Sequence, residues 1–537
     1  RRTVRAGAGV VLDQLNAFLQ PHGFCFGPDV ATSSRATLGG MIASNSSGAR
    51  VPVYGTTADH VRSLEIVLAD GRVEHIGSEL PALPTERELV ERLIRQHARE
   101  IQARMPAGLL KRWPGFGLDR WLRGPGNLAD ILAGSEGILA AIVSAELQIV
   151  PLPREKGLGL IFFASVIEAM EATVELLPLK PAAIEHIDRV LFDQTKGQRA
   201  FQAARDLLAL DAQPCEAILV IEFYDQVAER LQAMRQKRLG LRTMICQNRA
   251  EMNLVWGLRK AGLSLLTGRK GAAKPVTGIE DTTVRPEQLP AYVRGLDGIM
   301  RPLGIEVCYY GHAVSGLLHV RPVLNLRTAE GLKKFRHICD EVSALVKQFN
   351  GSLAGEHGVG MSRGEYLPEH LGETLLGVMR EIKAGFDPKG LLNPGKLVDP
   401  GAFKLDERLR LGAGYELRLP FKPVLAFAAK DGSFLGNLEQ CNGCGGCRKE
   451  TPTMCPTYVA TGEEIMSTRG RANTIRAVLE GRCGAGGDPL QTAELETALS
   501  NCLACKACAT ECPSNVNLSL LKAELVHARH QQQGLPL

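Results

Sequence analysis

Eight cysteines fall in two runs, Cys441-x2-Cys444-x2-Cys447 followed by Cys455-Pro456, and Cys502-x2-Cys505-x2-Cys508 followed by Cys512-Pro513. Three thiols at successive two-residue gaps can hold three corners of an iron-sulfur cubane, and in two-cluster ferredoxins the fourth cysteine, before proline, ligates the other cluster. The spacing therefore predicts two [4Fe-4S] clusters ligated crosswise: Cys441, Cys444, Cys447 and Cys512 on one, Cys502, Cys505, Cys508 and Cys455 on the other. Zinc is the competing metal, but two CxxC pairs would complete a tetrahedral site and leave the third cysteines surplus. Between the runs, Ser467-Thr468-Arg469-Gly470-Arg471 opens a helix. Its arginines are either a solvated face or cations that hold the fold and tune the clusters by charge.

A second constellation is built on histidine. Gly311-His312-Ala-Val-Ser-Gly316-Leu-Leu-His319 sets two imidazoles seven residues apart in a strand-like context. On one unbroken strand they would point to opposite faces, so convergence requires Gly316 to turn or bulge the chain. Gly355-Glu356-His357-Gly358-Val359-Gly360 offers a carboxylate and a third imidazole. Two His and one Glu form a divalent-metal set with open positions, suited alike to zinc, iron and manganese, although a histidine taken alone is more often structural. Asp387 to Lys396, with Asn393-Pro394-Gly395 inside it, reads as a surface turn, and Arg259 and Lys274, followed by Pro275 and Glu280-Asp281, are equally readable as solvated charges and by themselves uninformative.

The elements that must carry these groups follow from periodicity. Thr3 to Ala6 reads as a strand, and Val11, Leu12, Leu15, Phe18 and Leu19 as a helix stopped by Pro21 and Gly23. The Gly7-Ala8-Gly9 turn between them invites a dinucleotide fingerprint, but the third glycine this needs is replaced by Leu12, and a tight turn is the plainer reading. Residues 31–55 are small, polar and punctuated by glycine, which permits close backbone approach. Helical patterns lie between Gly77 and Pro125, and Pro151 and Pro153 mark a boundary. Beyond it, a strand at Leu160 to Ala164, a helix at Ile167 to Leu177 and a strand at Ala217 to Phe223 indicate an α+β domain. Leu332 to Phe349 is a long amphipathic helix that places Cys339 in a core. The expected organisation is 1–151, 152–397, an irregular linker at 398–435, and a mainly helical cysteine-rich domain at 436–537.

The 537 residues are too many for one ordinary domain. A 45% hydrophobic and 23% charged composition excludes a disordered or collagen-like chain. The net charge of +5 is spread without runs, which argues against a nucleic-acid surface. No apolar stretch approaches the roughly 20 residues that span a bilayer. Of the 14 cysteines the six outside the two runs are scattered singly, unlike a secreted disulfide scaffold, so a reducing, cytoplasmic location is expected, either free or peripheral at the inner face of the membrane. Arg1 in place of Met, without a basic-apolar leader, points to a chain lacking a signal peptide and cut from something longer.

Jointly, these residues resemble the FAD-linked D-2-hydroxyacid dehydrogenases with a vanillyl-alcohol-oxidase type of flavin fold, and the fused cysteine runs resemble those of the long iron-sulfur flavoproteins that include D-2-hydroxyglutarate dehydrogenases. The resemblance rests on Thr37-Leu-Gly-Gly-Met-Ile-Ala-Ser-Asn-Ser-Ser-Gly48, Tyr54-Gly55, Gly134-Ser135-Glu136-Gly137, the two histidine motifs and Asn393-Pro-Gly-Lys396. It implies a flavin held by Pro28, Thr37, Gly39, Gly40, Ser44, Asn45, Gly48, Tyr54, Gly55, Gly134, Ser135, Glu136, Gly137, Asn393 and Lys396. It also implies a metal on His312, His319 and Glu356, His357 as base, and Arg259 and Lys274 on substrate carboxylates. A glycine-rich pyrophosphate loop is implied upstream of Arg1, and a further cysteine-rich domain beyond Leu537. Where the family usually has Asp-Gly-Asn between the histidines this chain has Ser315-Gly316-Leu317, and Arg321 stands where relatives often have Asn. An arginine there can grip a carboxylate bidentately.

The implied activity is oxidation of a D-2-hydroxyacid, D-2-hydroxyglutarate first, with flavin taking a hydride and two clusters exporting single electrons to a quinone, an electron-transfer flavoprotein or a cytochrome. A glycolate or D-lactate dehydrogenase of the same chemistry is the alternative, and a non-catalytic iron-sulfur electron-transfer subunit the alternative of another class.

Overall fold

The computed structural model describes residues 2–77, 82–425, 427, 432–448, 454–483 and 487–535. It divides into two compact units that do not follow chain order: Arg1–Lys260, Val276–Pro322 and Lys333–Leu409 form the first, and Ala261–Pro275, Val323–Leu332 and Arg410–Leu537 the second.

The strands in chain order are β1 (Thr3–Gly7), β2 (Phe24–Cys25), β3 (Val61–Val67), β4 (Val73–Gly77), β5 (Ala141–Gln148), β6 (Val150–Pro151), β7 (Gly157–Phe163), β8 (Ala183–Asp188), β9 (Ala217–Phe223), β10 (Arg242–Ile245), β11 (Lys274–Pro275), β12 (Asp281–Thr283), β13 (Val307–His312) and β14 (Leu317–Leu324). In the first unit an antiparallel sheet runs β1-β5-β3-β4. The helix Leu12–Leu19 buries Leu12, Leu15 and Leu19, one face at helical spacing, and ends on a 3-10 turn closed by Gly23 at φ +79°. A larger antiparallel sheet runs β10-β7-β9-β8-β13-β14, with β12 also paired to β14. Its strands β7 and β9 are buried at every position, which is why β7 reads as an unbroken apolar run and β9 as one interrupted only by Glu222, which is paired with Arg50. The first unit thus has the expected α+β character.

In the second unit, Lys274-Pro275 pair with Leu324 and Val323. The rest of the second unit is helical: Phe434–Glu439, Pro456–Thr461, Thr468–Leu479, Ala493–Ser500, Ala507–Glu511 and Leu518–Gln533 surround a core that includes Phe434, Ile475, Val478, Leu495 and Leu521. The segment read as a linker is packed rather than free. Leu405 is buried in the first unit, with Arg336 bonded to Asp406, and Leu417 and Phe427 are buried in the second. Buried leucines and phenylalanines spaced without helix or strand period give no periodic signal, so composition alone suggested a tether.

Gly316 has φ +75°, and a Cβ there would stand 1.8 Å from the Val284 carbonyl oxygen. Gly316→Ala is therefore expected to destabilise the first unit by about 1–3 kcal/mol, read as a lowered urea midpoint.

Candidate active site and cluster sites

The β13–β14 hairpin resolves the seven-residue spacing. Gly316 closes the turn, and the register sets Tyr310 opposite His319 and His312 opposite Leu317. Tyr310 and His312 share a face of their strand, and a directly opposed residue shares it too. His312 and His319 are thus diagonal neighbours with ring centroids 5.8 Å apart. Strand β8 extends the row: Glu185 stands opposite His312, with Oε1 2.7 Å from His312 Nδ1 and Oε2 2.6 Å from Arg259 Nη2.

Glu356 and His357 arrive on the loop after the helix Ala329–Gln348. Ser352 pairs with Thr283 of β12, the Gly355 amide donates to the Asp281 carbonyl at 2.8 Å, and the Glu356 and His357 amides both donate to Asp281 Oδ2, at 3.1 and 2.7 Å. A Cβ on Gly355 would lie 2.1 Å from Thr283 Oγ1, so only glycine lets the loop run this close to β12.

Three imidazoles then converge on one carboxylate. Glu356 Oε1 is 3.3 Å from His312 Nε2, 3.5 Å from His319 Nε2 and 3.8 Å from His357 Nε2. Each ring turns its other nitrogen to a second carboxylate: His312 to Glu185, His319 Nδ1 to Glu280 Oε2 at 3.2 Å, His357 Nδ1 to Glu280 Oε1 at 2.9 Å. An imidazole fixed through Nδ1 by a carboxylate, with Nε2 left for a cation, is the usual outer support of a metal ligand. His312, His319 and Glu356 are all buried, with ligand atoms within 4.8 Å of one another, so their chemistry and placement fit a divalent cation. The sets Glu280–His319–His357 and Asp281–Glu356–His357 meet the same distance. His357 differs from the other two in access: its side chain is 41% exposed, against 12% for His312 and 5% for His319.

Burial pushes the Glu356 carboxyl up, but Lys111 and His312 outweigh it and hold the group well below the ordinary carboxylate range. Glu280 is held low in the same way, burial being overcome by Arg321 and His357. For His357, burial pulls the imidazole down while Asp281 and Glu280 pull harder upward, to about 9. Lys111 is wholly buried, with Nζ 2.7 Å from Glu356 Oε2, 3.0 Å from Ser47 Oγ and 3.1 Å from the Gly48 carbonyl.

Lys111 also lines a cleft of about 260 Å³ with Asn45, Gly55, Thr56, Arg112 and Trp113, so the histidine cluster and the cleft adjoin. Of the residues expected to touch flavin, Asn45 and Gly55 line it. Thr37 caps the helix Leu38–Ala43, whose first turn holds Gly39 and Gly40. The Arg112 guanidinium fastens Ser44 and Gly134 through their carbonyls. Asn45 is buried and accepts from the Ala58 amide at 2.8 Å. Gly48 packs on the Asp29 carbonyl, and the Tyr54 carbonyl, just before Gly55, is held by His60 Nε2 at 2.7 Å. Pro28 and Ser135 are buried. Glu136, just before Gly137, accepts from the Val359 and Gly360 amides at 2.6 and 2.8 Å, and its carbonyl accepts from Asn393 Nδ2 at 2.8 Å, which ties this loop to the His357 loop. Glycine-rich loops around a cleft with a buried ammonium fit a flavin. Lys396 is engaged elsewhere, donating to the Pro394 carbonyl at 3.3 Å and lying 4.8 Å over the Phe403 ring.

The candidate carboxylate-binding cations are placed differently from one another. Arg259 and Arg321 are buried and flank the Tyr310 ring at 5.3 and 5.6 Å, with Arg259 on Glu185 and Arg321 Nη2 3.4 Å from Glu280 Oε2. Lys274 lies in the second unit, where Nζ donates to Gln440 Oε1 at 2.5 Å.

In the second unit the cysteines fall into two cavities. Cys441, Cys444, Cys447 and Cys512 line one, and Cys455, Cys502, Cys505 and Cys508 line the other. The grouping is the crosswise one, and four thiols around one small space fit a cubane. Burial pushes the Cys512 thiol up to about 12, so iron must displace its proton for it to ligate.

Several of these groups escaped sequence reasoning. Glu280 and Asp281, given no role by the sequence, are 3% and 0% exposed. Glu185 carried a usable signal, a carboxylate in the otherwise apolar strand Ala-Ile-Glu-His-Ile-Asp. Lys111-Arg112 carried none, since the stretch around it has no period and no motif.

Three family models match the chain: an FAD binding domain at residues 1–77, the C-terminal domain of the FAD linked oxidases at 152–397, and a 4Fe-4S dicluster domain at 437–516. The chain therefore carries an FAD-binding domain and the C-terminal domain found in FAD-linked oxidases, together with a 4Fe-4S domain. It is 32% identical to the D-2-hydroxyglutarate dehydrogenase of Pseudomonas putida over 99% of the chain, and 30% identical to that of Pantoea ananatis over 100% of it. The chain spans 58% of the length of each of these relatives. p-Cresol methylhydroxylase shares the oxidase fold, with a TM-score of 0.51 at 14% identity over 76% of this chain and 77% of that one. Among the described residues no helix is long and apolar enough to cross a membrane.

Proposed function

We propose that this chain is the flavin and iron-sulfur part of a dehydrogenase that oxidises a D-2-hydroxyacid, D-2-hydroxyglutarate first, to the 2-oxoacid and passes the electrons through two [4Fe-4S] clusters to an external acceptor. One observation carries the reading: three imidazole Nε2 atoms gathered on Glu356 beside a cleft suited to flavin. The names of the relatives give the substrate class. When bound, FAD supplies a hydride acceptor, and a zinc, iron or manganese ion supplies a Lewis acid for the hydroxyl and carboxylate.

The chain's own residues do the rest. His312, His319 and Glu356 hold the cation. His357, the accessible imidazole, takes the hydroxyl proton at Nε2, with Nδ1 held by Glu280. A base must be unprotonated, and a value near 9 keeps His357 charged at neutral pH. Positive charge on Glu356, whose Oε1 is 3.8 Å from Nε2, lowers that value toward the working range. Arg259 and Arg321 grip carboxylates: each has a buried Nε without an acceptor among the described residues. Cations beyond the metal suit a dicarboxylate.

A second reading has its own observation. Arg259 and Arg321 already face Glu185 and Glu280, which would leave the metal alone to bind a single carboxylate, as in D-lactate or glycolate. Steady-state turnover with an artificial acceptor separates the two. The dicarboxylate reading expects kcat/KM to favour D-2-hydroxyglutarate over D-lactate, and Arg321→Met to lower the diacid value about 10- to 100-fold by removing a charged hydrogen bond while sparing the monoacid. Equal values for both acids in the unaltered protein would select the monoacid reading.

A further inference from the structure

The helix Thr468–Leu479 touches both four-cysteine cavities, since Thr468 lines each of them. Its arginines meet the cavities unequally. Arg469 sends its backbone amide to Cys447 Sγ at 3.3 Å, but its guanidinium is taken by Glu464 through two bonds of 2.7 and 2.9 Å and is partly exposed. Arg476 bonds the Leu438 carbonyl and Asn473 and no thiol among the described residues. Arg471 is 0% exposed. Its Nη1 lies 3.2 Å from Cys455 Sγ, while Nε donates to the Ala498 carbonyl at 2.7 Å and Nη2 to Thr457 Oγ1 and the Asn501 carbonyl, both at 2.9 Å. Nη1 also bonds the Met466 carbonyl.

Every described hydrogen-bond partner of Arg471 is a carbonyl, a hydroxyl or a sulfur, and none is a carboxylate. Burying an unpaired guanidinium is costly unless an anion lies beside it. The anion that the cavity can supply is the cluster itself, with its four thiolates. Resting on the two-cluster reading above, we propose that Arg471 is a positioning residue for the cluster held by Cys455, Cys502, Cys505 and Cys508, and that its charge raises the reduction potential of that cluster and not of its neighbour. Reduction adds one electron and no proton to an already anionic cluster, so a fixed cation in a dry site stabilises the reduced form. Two clusters on similar cysteine patterns thereby become unequal, and the one beside Arg471 is the better electron acceptor of the pair.

The test is an anaerobic potentiometric titration of the cluster-loaded protein followed by electron paramagnetic resonance, with iron and sulfide counted first. Two cubanes require about eight of each per chain. A count near four in the unaltered protein would remove the two-cluster reading and the inference with it, whereas a count near eight lets the inference stand or fall alone. Cys455→Ser assigns one of the two signals to the cluster concerned. In Arg471→Met the midpoint of that signal is expected to fall while the other stays, and Arg471→Lys, which keeps the charge but fewer contacts, is expected to fall less. Where Arg471→Met retains only the Cys441-side cluster and Arg471→Lys retains both, the arginine is likewise the anchor. Unchanged midpoints, equal shifts of both, or loss of both clusters in both variants would overturn the proposal.

Discussion

Replacing His357 with alanine is expected to slow reduction of the flavin by the hydroxyacid about 10²- to 10⁴-fold, the usual contribution of a positioned general base, with metal content and flavin spectrum unchanged. The expectation follows from the division of labour among three similar imidazoles. His312 and His319 are buried on a hairpin, their rings held by Glu185 and Glu280, and His357 stacks on His319 at 4.8 Å but stays accessible. His312→Ala and His319→Ala are therefore expected to lose the metal as well as the activity. Metal analysis of the three purified variants, with stopped-flow reduction, decides the matter. Metal lost from His357→Ala and kept in His312→Ala would transfer the ligand role to the set Glu280, His319 and His357, which meets the same distances.

Lys111→Met is expected to cost about 3–5 kcal/mol of stability in chelator-treated protein, because it leaves Glu356 charged and buried without its cation. Lys111 Nζ is wholly buried at 2.7 Å from Glu356 Oε2, and the carboxyl is held well below its ordinary range with Lys111 as the largest opposing charge. Restoring zinc or manganese supplies positive charge to the same carboxylate, so the deficit is expected to shrink with metal present. Urea denaturation of the variant and the unaltered protein, each with and without metal, reads both quantities. An equal deficit in the two states would mean that Lys111 acts through packing with Ser47 and the Gly48 carbonyl rather than through the charge of Glu356.

The parts of this chain that were legible in the sequence share a cause. The cysteine runs and the histidine motifs are local patterns whose chemistry is carried by spacing, and the strands β7 and β9 declare themselves as apolar runs, broken only by Glu222 in β9. Even the need for Gly316 to turn the chain followed from strand geometry alone. What the sequence hid was pairing over distance. Nothing near Lys111 announces Glu356, 245 residues on, and nothing near Glu185 announces His312, 127 residues on. Register across the sheet decides the second, and the approach of two irregular loops the first; both are properties of the assembled chain. The roles of Glu280-Asp281 and Arg471 stayed open for a related reason: a charge in a polar stretch shows no partner until the chain is assembled, and here the partners are the His357 loop and the Cys455 thiol.

The most direct measurement is anaerobic addition of D-2-hydroxyglutarate to the full-length protein loaded with FAD, iron and sulfide, followed in the visible spectrum. The flavin bands are expected to bleach first and the broad iron-sulfur absorbance to fall after them, with D-lactate and glycolate slower and the L-enantiomers inert. A spectrum that keeps its flavin and cluster bands in the presence of every D-2-hydroxyacid tried would contradict the proposed path of electrons from substrate to flavin to cubane.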